Sequence, residues 1–374
     1  YYNNYGYNPS GINSSMDFSM SWLEEFKRRK EQGITDEVAI GENGDYVYYG
    51  NTNYYDVIYK PYTLAQTHNL SLSGNTGKLN YYLSGRLYKY DGILNFNPDK
   101  YQTMSLRAKA SVKPFEWLDI WENISFNYED NHIPASHGKQ SGGLFLRSMQ
   151  DHGFPSSVVF NPDGTLTKSA AYAIGGLVTG NNYTDKLRNE ITSTTGARAE
   201  FFDKTLRLNA DFTYKANWGN NMKKNTMVSY SEAPGHIAWV GAQGVDDYIT
   251  EEWTRWSYIS TNAYLEYANL WNEKHDFKAL LGYNFERAAD KLQNTLRYGL
   301  ISNDAESIQM AMGENITTYG WEARWRSIGA FARLNYSYDD RYLVELNARY
   351  DGSSKFPTNQ QWGFFPSVSV AWRV

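Results

Sequence analysis

The sequence predicts an all-β fold, specifically a transmembrane antiparallel β-barrel, and three observations support that prediction. Apolar and polar residues alternate over stretches of roughly ten residues, the length of a tilted bilayer crossing. Short and long connections between these stretches follow one another in turn. Aromatic residues make up 16% of the 374 positions. Together these features are typical of strands that present one apolar face to lipid and one polar face to water.

The clearest alternation covers residues 205–217. One face of this segment carries Leu206, Leu208, Ala210, Phe212, Tyr214 and Ala216. The other face carries Arg207, Asn209, Asp211, Thr213, Lys215 and Asn217. A strand of a soluble sandwich averages about 5–6 residues, whereas a membrane strand needs about 9–11. The length and pattern therefore favour a membrane strand.

The same alternation recurs along the chain and predicts about eleven strands. Examples are residues 79–88, 104–112, 277–286, 328–337 and 342–350. Segment 118–128 departs from the pattern, because Glu122 falls on the face of Leu118, Ile120, Ile124 and Phe126. Two explanations are open: Glu122 lies at the level of the lipid headgroups, or a β-bulge resets the phase of the strand.

The connections between the predicted strands alternate in length. Short ones fall near residues 74–78, 113–117, 202–205, 269–275 and 338–341. Long ones fall near residues 89–101, 129–190, 218–252, 288–326 and 352–363. Tight turns at one end and long loops at the other are the pattern of outer-membrane barrels. A closed barrel leaves no open edge in lipid, so eleven strands predict part of a larger barrel.

The composition narrows the class of protein further. Tyrosine is unusually frequent, with 32 residues against 17 Phe and 12 Trp, and Tyr and Trp favour membrane interfaces and sugar-contacting surfaces. The mean hydropathy of −0.64 is compatible with a barrel, because half of each strand faces water. No apolar run is long enough for a transmembrane helix. A net charge of −5 without a basic stripe argues against a nucleic-acid partner.

The sequence contains no pattern that predicts catalysis, a cofactor or a metal. There is no cysteine, which excludes disulfides, thiol catalysis and Cys-ligated zinc. Phosphate-binding and esterase motifs are absent. The acidic residues Asp246, Asp247, Glu251 and Glu252 lack the spacing of a calcium loop. His132 and His137 supply only two ligands, and zinc needs more. We therefore predict a protein that is not an enzyme.

Two short helices are expected in the outer loops. Residues 16–32 place Trp22, Leu23 and Phe26 on one face and several cations in the last turn, which predicts an amphipathic helix on the barrel rim. Residues 142–151 predict a second helix inside the long loop 129–190. That loop is expected to pack against a partner or fold over the pore, and the alternative is a surface loop without ligand contacts.

Six residues are candidate contacts for a transported solute. Polar-face side chains and loop tryptophans supply them, namely Arg86, Tyr88, Arg207, Asp211, Trp239 and Trp321. Aromatic faces stack on sugar rings, and charged groups bind polar solutes. The stronger alternative for the tryptophans is a girdle at the membrane interface. The alternative for the charged residues is pairing with groups inside the lumen.

Four stretches, in the same order along the chain, resemble the SusC/RagA family of TonB-dependent outer-membrane transporters. They are Asn53-Tyr-Tyr-Asp-Val-Ile-Tyr59 followed by His68-Asn-Leu-Ser-Leu-Ser-Gly74; Leu79-Asn-Tyr-Tyr-Leu-Ser-Gly85 running on to Asp91-Gly-Ile-Leu94; Arg349-Tyr-Asp-Gly-Ser-Ser-Lys-Phe356; and Trp362-Gly-Phe-Phe-Pro-Ser-Val-Ser369. The third of these is the most specific. The resemblance spans most of the chain.

The resemblance implies about half of a barrel of roughly 22 strands that encloses an N-terminal plug. It also implies energy from the TonB complex, a SusD-like surface lipoprotein as a lid, oligosaccharide or peptide substrates, and a dimer of barrel–lid pairs in the outer membrane of a Gram-negative bacterium. Residues 1–66 would hold an early barrel strand or outer loop with a short helix, and residues 67–374 the other strands. No TonB box, plug or final strand is recognisable, so coupling residues cannot be assigned.

Two other functions remain open from the sequence. The first is a soluble, secreted all-β protein that binds or cleaves glycans, with aromatic residues lining a groove. The second is a passive porin without a plug. Partition between membrane and soluble fractions distinguishes the first from a transporter, and dependence of uptake on the proton gradient distinguishes the second.

Overall fold

The computed structural model describes residues 19–135, 152–241 and 245–374. In chain order its main elements are α1 (Met20–Glu31), β1 (Val38–Ile40), β2 (Tyr46–Tyr48), α2 (Tyr54–Ile58), β3 (Ala65–Asn75), β4 (Leu79–Asp91), β5 (Lys100–Phe115), β6 (Leu118–Pro134), α3 (Lys168–Thr179), β7 (Tyr183–Phe201), β8 (Leu206–Asn225), β9 (Val228–Ala233), β10 (His236–Val240), β11 (Tyr248–Trp271), β12 (His275–Tyr298), β13 (Ile316–Tyr338), β14 (Tyr342–Ser353) and β15 (Trp362–Trp372).

Eleven of these strands form one antiparallel sheet in sequence order. It runs from β3 to β8 and then from β11 to β15, and the small hairpins β1–β2 and β9–β10 pair only within themselves. The predicted count of about eleven wall strands and the antiparallel barrel architecture are confirmed, and the described part of the barrel is open between β3 and β15. Residues 1–66 are expected to hold an early barrel strand or an outer loop with a short helix, and in the described part of that segment the wall sheet begins at Ala65.

The continuous register separates the sheet into an apolar face and a polar face. On β8 and β11, Leu208 pairs with Leu265 and Arg207 pairs with Glu266, as the alternation in the sequence predicts. The apolar face is open to its surroundings: Leu281 on β12, which has a paired strand on each side, is 65% exposed. An apolar surface of this extent would be unfavourable in water, so the geometry fits a wall surrounded by lipid.

Two bands of aromatic side chains bound the apolar face. At the short-turn end, Trp117 stacks on Phe115 and Phe201, with ring centroids 5.5 and 5.7 Å apart. Toward the other end, Tyr350 stacks on Trp362 at 5.0 Å. From Trp362 to Trp372, ten steps of about 3.3 Å on a strand tilted by about 40° rise about 25 Å. This height equals that of the lipid-facing band of an outer-membrane barrel.

The order of short and long connections is confirmed, but all five long connections are shorter than the sequence predicts. Strands β11 and β12 have 24 residues each, so they extend well into segments expected to be loops. The short turns are tight: Asn272 and Glu273 both have positive φ, 50° and 59°. Two consecutive positive φ values are the signature of a type I′ turn, which matches the twist of an antiparallel pair.

Glu122 lies on the apolar face, and no bulge in its strand explains it. The β6–β7 register is continuous from Leu118 to Pro134, and the only irregularity beside β6 lies in β5, between Val112 and Phe115. The Glu122 carboxylate accepts hydrogen bonds from Ser193, at 2.8 Å, and from Thr195. Two neighbouring hydroxyls on the same face therefore satisfy it close to the short-turn end.

The buried hydrophobic residues of the described chain are concentrated outside the wall, at its long-loop end. Helix α3 lies at their centre, because Ala170, Ala173 and Ile174 are completely buried. It packs on one side against Tyr54 and Ile58 of α2, and other residues of the helix pack against Val228 of β9. We call this assembly of the hairpin β1–β2, α2, residues 152–182 and the hairpin β9–β10 the outer cap.

Helix α1 is confirmed, with its described part at Met20–Glu31, and it contacts the hairpin β1–β2. The Trp22 indole donates a hydrogen bond to the Tyr48 carbonyl at 2.9 Å, and Arg29 lies over the Tyr49 ring at 4.3 Å. The helix predicted at 142–151 lies outside the described residues. Among the described helices, none combines the length and hydropathy needed to span a bilayer.

Candidate functional site

A ladder of amide and carboxylate side chains crosses the polar face of the wall. The Asn262 amide donates to Asp211 at 2.9 Å, and the Asn284 amide donates to Asn262 at 2.6 Å. These residues belong to the neighbouring strands β8, β11 and β12. Such a ladder fixes polar groups on a wall that faces water, because each side chain is held by its neighbour.

Arg207 is held by two carboxylates of the wall. Its guanidinium lies 2.8 Å from Glu266 and 3.5 Å from Glu200. The three residues come from β8, β11 and β7, so the pairing ties adjacent strands together on the polar face. Arg207 is therefore paired with residues of the wall itself.

The six candidate residues predicted from the sequence do not converge on one site. Arg86 and Tyr88 lie on β4, where Tyr88 contacts the Tyr101 ring at 6.0 Å. Three strands separate β4 from β8, which carries Arg207 and Asp211. Of the remaining two, Trp239 lies on β10 in the outer cap and Trp321 on the polar face of β13, and each is 48% exposed.

The structure brings together an aromatic row that lies outside the six candidate residues. Trp256 and Tyr258 are stacked at 5.9 Å with nearly parallel rings, and Trp325 lies 6.3 Å from Tyr258. Lys355 lies 4.2 Å over Trp325, and Lys215 lies 5.9 Å over Tyr258. The register explains the grouping, because Lys215, Tyr258, Ala288 and Trp325 are successive partners across four strands. Period-two counting along 248–271 would have found Trp256 and Tyr258 on the polar face.

This aromatic row is suited to binding a polar solute with apolar faces. Aromatic rings stack on the C–H faces of sugars or on peptide side chains, and the lysines attract anionic groups. Trp321 continues the row on the same face of β13, two residues beyond Ala323. Beyond the aromatic band at the long-loop end, the polar face therefore offers a track of rings and cations.

Two surface cavities have different chemistry. One, of about 610 Å³, lies in the outer cap, where Asp45 of the loop between β1 and β2 meets Glu232 and His236 of the β9–β10 hairpin. The other, of about 560 Å³, lies on the apolar face around Leu72, Gly85 and Leu106. The first has a polar lining that suits a hydrophilic ligand, whereas the second faces the surroundings of the wall.

The acidic cluster considered as a calcium site has structural partners instead. The Asp247 carboxylate accepts the Leu300 backbone N–H at 3.1 Å, and Glu252 accepts the Asn221 amide at 2.9 Å. Within the described ranges, no group of three or more His, Asp or Glu residues is arranged to hold a metal ion. His132 lies between Asp185 and Asn97, and His137 lies outside the described residues.

Asn161 joins three segments of the outer cap. Its side-chain oxygen accepts the Tyr48 hydroxyl at 2.9 Å, and its amide donates to the carbonyls of Leu166 at 3.2 Å and Ser231 at 3.0 Å. Asn161 is 4% exposed, so these bonds are shielded from water. Burial also raises the pKa of the Tyr48 hydroxyl above its ordinary value, which keeps it protonated as a donor.

A second contact at the same place predicts that the docking of the cap weakens in acid. The Tyr46 hydroxyl donates to Asp163 at 3.0 Å, and hydrogen bonds from Thr165 and Tyr46 hold the pKa of the Asp163 carboxyl below its usual range. A depressed pKa in the folded state stabilises the cap above the ordinary carboxyl pKa of about 4, and the contribution disappears as the pH falls through the folded value.

We expect the docking of the β1–β2 hairpin to be constant from about pH 5 to 8 and to weaken below about pH 4. Hydrogen exchange of the backbone amides of residues 46–48, corrected for intrinsic rates, measures this docking. Asp163→Asn should remove the acid dependence while leaving the Tyr46 contact possible. Equal protection of the wild type at pH 3 and pH 6 would contradict the role given to Asp163.

Comparison with known proteins identifies the wall. The family model for the β-barrel of TonB-dependent receptor-like proteins matches residues 128–374. TonB-dependent receptor P26 of Formosa agariphila is 23% identical over 369 residues, covering 95% of this chain and 34% of that protein. SusC of Bacteroides thetaiotaomicron is 45% identical over 47 residues, covering 13% of this chain and 5% of that protein.

Solved structures give the same fold. The RagAB peptide transporter superposes with a TM-score of 0.66 at 18% identity, covering 93% of this chain and 38% of that chain. The chain thus spans about a third of the length of the first curated relatives that it matches. The family match covers about two thirds of the chain, and the resemblance to SusC and RagA seen in its motifs is confirmed. The chain belongs to the TonB-dependent receptor-like β-barrel family.

Proposed function

We propose that this chain forms part of the barrel wall and the outer cap of an active importer in the outer membrane of a Gram-negative bacterium. Its solutes are oligosaccharides or peptides, and a SusD-like surface lipoprotein covers the cap. The observation that carries the proposal is the folded cap itself. It stands at the long-loop end of the wall, beside a polar face lined with rings and cations.

The mechanism is binding and gated passage without bond chemistry. The exposed side chains of Ile237 (54%) and Trp239 (48%) on the cap offer apolar contacts to a lipoprotein lid. A solute released from the lid then meets Trp321 and the aromatic row on the polar face. Energy comes from the TonB complex acting on a plug, and two barrel–lid pairs associate as a dimer. No cofactor takes part.

The first test is a pull-down of the full-length protein from detergent-solubilised outer membranes, followed by mass spectrometry. A stoichiometric surface lipoprotein supports the lid, and its ligand preference then indicates the solute. Recovery of the protein from the membrane without a partner favours a solitary transporter. Recovery from the soluble fraction contradicts the proposal. Uptake that continues after collapse of the proton gradient favours a passive porin.

Trp321→Ala should raise the half-saturation concentration for uptake by roughly 2–10-fold, because one stacking contact contributes about 0.5–1.5 kcal/mol. The matched control is Trp253→Ala. Trp253 is 55% exposed and pairs with Gln293, next to the partner of Trp321, but it lies on the opposite face of the wall. Equal effects of the two substitutions on uptake would contradict a solute track on the polar face.

A further inference from the structure

A basic patch lies on the apolar side of the wall, immediately beyond the lipid-facing band. Arg287 of β12 and Arg326 of β13 are register partners, and Arg324 follows on the same face, opposite Ala289. We call these three residues the outer arginine cluster. They line a shallow cavity of about 420 Å³ together with Phe285, Trp325 and Ser354.

The cluster is an uncompensated positive site. Arg324 is paired with Glu322, but within the described parts of the chain neither Arg287 nor Arg326 has a side-chain hydrogen bond or ion pair. Two guanidinium groups directly opposite each other on neighbouring strands repel, so the arrangement is unfavourable without an anion. Arginine binds phosphate oxygens in a bidentate manner, and two such groups side by side suit a phosphate.

The position of the cluster indicates where the anion comes from. On β13 the apolar face carries Ile328, Ala330, Ala332 and Leu334 between Arg326 and the aromatic residue Tyr338. The twelve steps of about 3.3 Å from Tyr338 to Arg326 rise about 30 Å on a strand tilted by about 40°. This distance is about the thickness of a bilayer hydrocarbon core, so the guanidinium groups lie at the outer headgroup level.

We propose that the outer arginine cluster binds the phosphorylated headgroup of a lipid in the outer leaflet. The acyl chains of that lipid lie along the apolar face below, beside Phe285 and Ile328. A phosphate-bearing amphiphile satisfies both halves of the site, whereas a free phosphate uses only the cations. The inference rests on the proposed outer-membrane location, and it adds a site that is separate from the solute path.

The test compares lipid retention by the full-length protein and two charge-matched variants. The first variant carries Arg287→Gln and Arg326→Gln. The control carries Arg107→Gln and Arg333→Gln, which remove the same charge from exposed arginines of the polar face, where they bond Asn123 and Asn347. Each protein is loaded in micelles containing monophosphorylated lipid A and then delipidated, and native mass spectrometry counts the lipids that remain.

We expect the wild type and the control to retain lipid A. The cluster variant should retain at least about 10-fold less lipid A, because it lacks two charge-assisted contacts. Equal retention by the cluster variant would overturn the inference. Displacement of the lipid by millimolar inorganic phosphate would also overturn it, because the site would then be specific for a free anion. Membrane insertion and solute uptake are measured in parallel. If the wild type inserts and imports solute but retains no lipid, only this inference fails; if the wild type is not in the outer membrane, the proposed function fails.

Discussion

Replacing Val368 by arginine is expected to destabilise the inserted wall by about 2–4 kcal/mol. Val368 lies on the apolar face between the aromatic residues Trp362 and Trp372, and it pairs with Leu346 on β14. A guanidinium at this depth has to leave water for hydrocarbon, because the bilayer offers no hydrogen-bond partner. Reversible denaturant unfolding of the full-length protein in lipid bilayers measures the change.

The control for this substitution is Ser367→Arg, at the neighbouring position on the same strand. Ser367 pairs with Asn347 on the polar face, so its substitution should change stability by less than about 1 kcal/mol. Leu208→Arg tests the depth dependence. Leu208 lies only a few residues from the short turn 202–205, so its cost should fall toward about 0–1 kcal/mol. Equal costs for Val368→Arg and Ser367→Arg would contradict the assignment of faces.

Asn161→Leu is expected to undock the outer cap while leaving the wall folded. The substitution removes three buried hydrogen bonds and leaves the Tyr48 hydroxyl and the Ser231 carbonyl without their partner, whereas the Leu166 carbonyl keeps the Ser231 N–H. Each buried polar group left unsatisfied costs about 1–3 kcal/mol, so the docking of the cap should weaken by at least about 2 kcal/mol. Under the proposed function, solute uptake should fall with it, because the lid loses its docking surface.

Limited proteolysis of the inserted protein measures this opening, since cleavage within 152–182 requires the cap to unfold locally. Asn51→Leu is the control, because Asn51 is exposed. The stability of the wall, measured by its heat-dependent mobility on gels, should be unchanged in both variants. Unaltered cleavage in Asn161→Leu would show that the cap does not depend on this residue.

The wall was predictable from sequence because its physics is local. Each strand in the membrane alternates between lipid and water, so Leu206, Leu208 and Ala210 reveal their face without knowledge of any other strand. The prediction fails where the strands leave the membrane. Trp253 and Trp256 lie on opposite faces of β11. Beyond the membrane both faces of a strand contact water, so an apolar residue is no longer favoured on one face over the other. The lengths of β11 and β12 were therefore underestimated.

The cap and the ladder of amide and carboxylate side chains were not predictable, because their contacts are remote in sequence. Tyr48 and Asn161 are 113 residues apart, and Asp211 and Asn262 are 51 residues apart. Nothing in either local sequence indicates the partner. The same reason explains why the six predicted candidate residues proved scattered, since residue type alone does not tell which strands are neighbours. Whether any of them contacts a solute stays a prediction.

The length of β11 and β12 sets a distance between the bilayer and the place of capture. A strand of 24 residues tilted by about 40° rises about 58 Å, of which about 25–30 Å lies within the membrane. The remaining 30 Å or so is a hydrogen-bonded extension of the wall beyond the membrane. Under the proposed function, a solute bound at this height is held about 30 Å above the lipid surface, and it has to pass along the polar face of these strands before it reaches the level of the membrane.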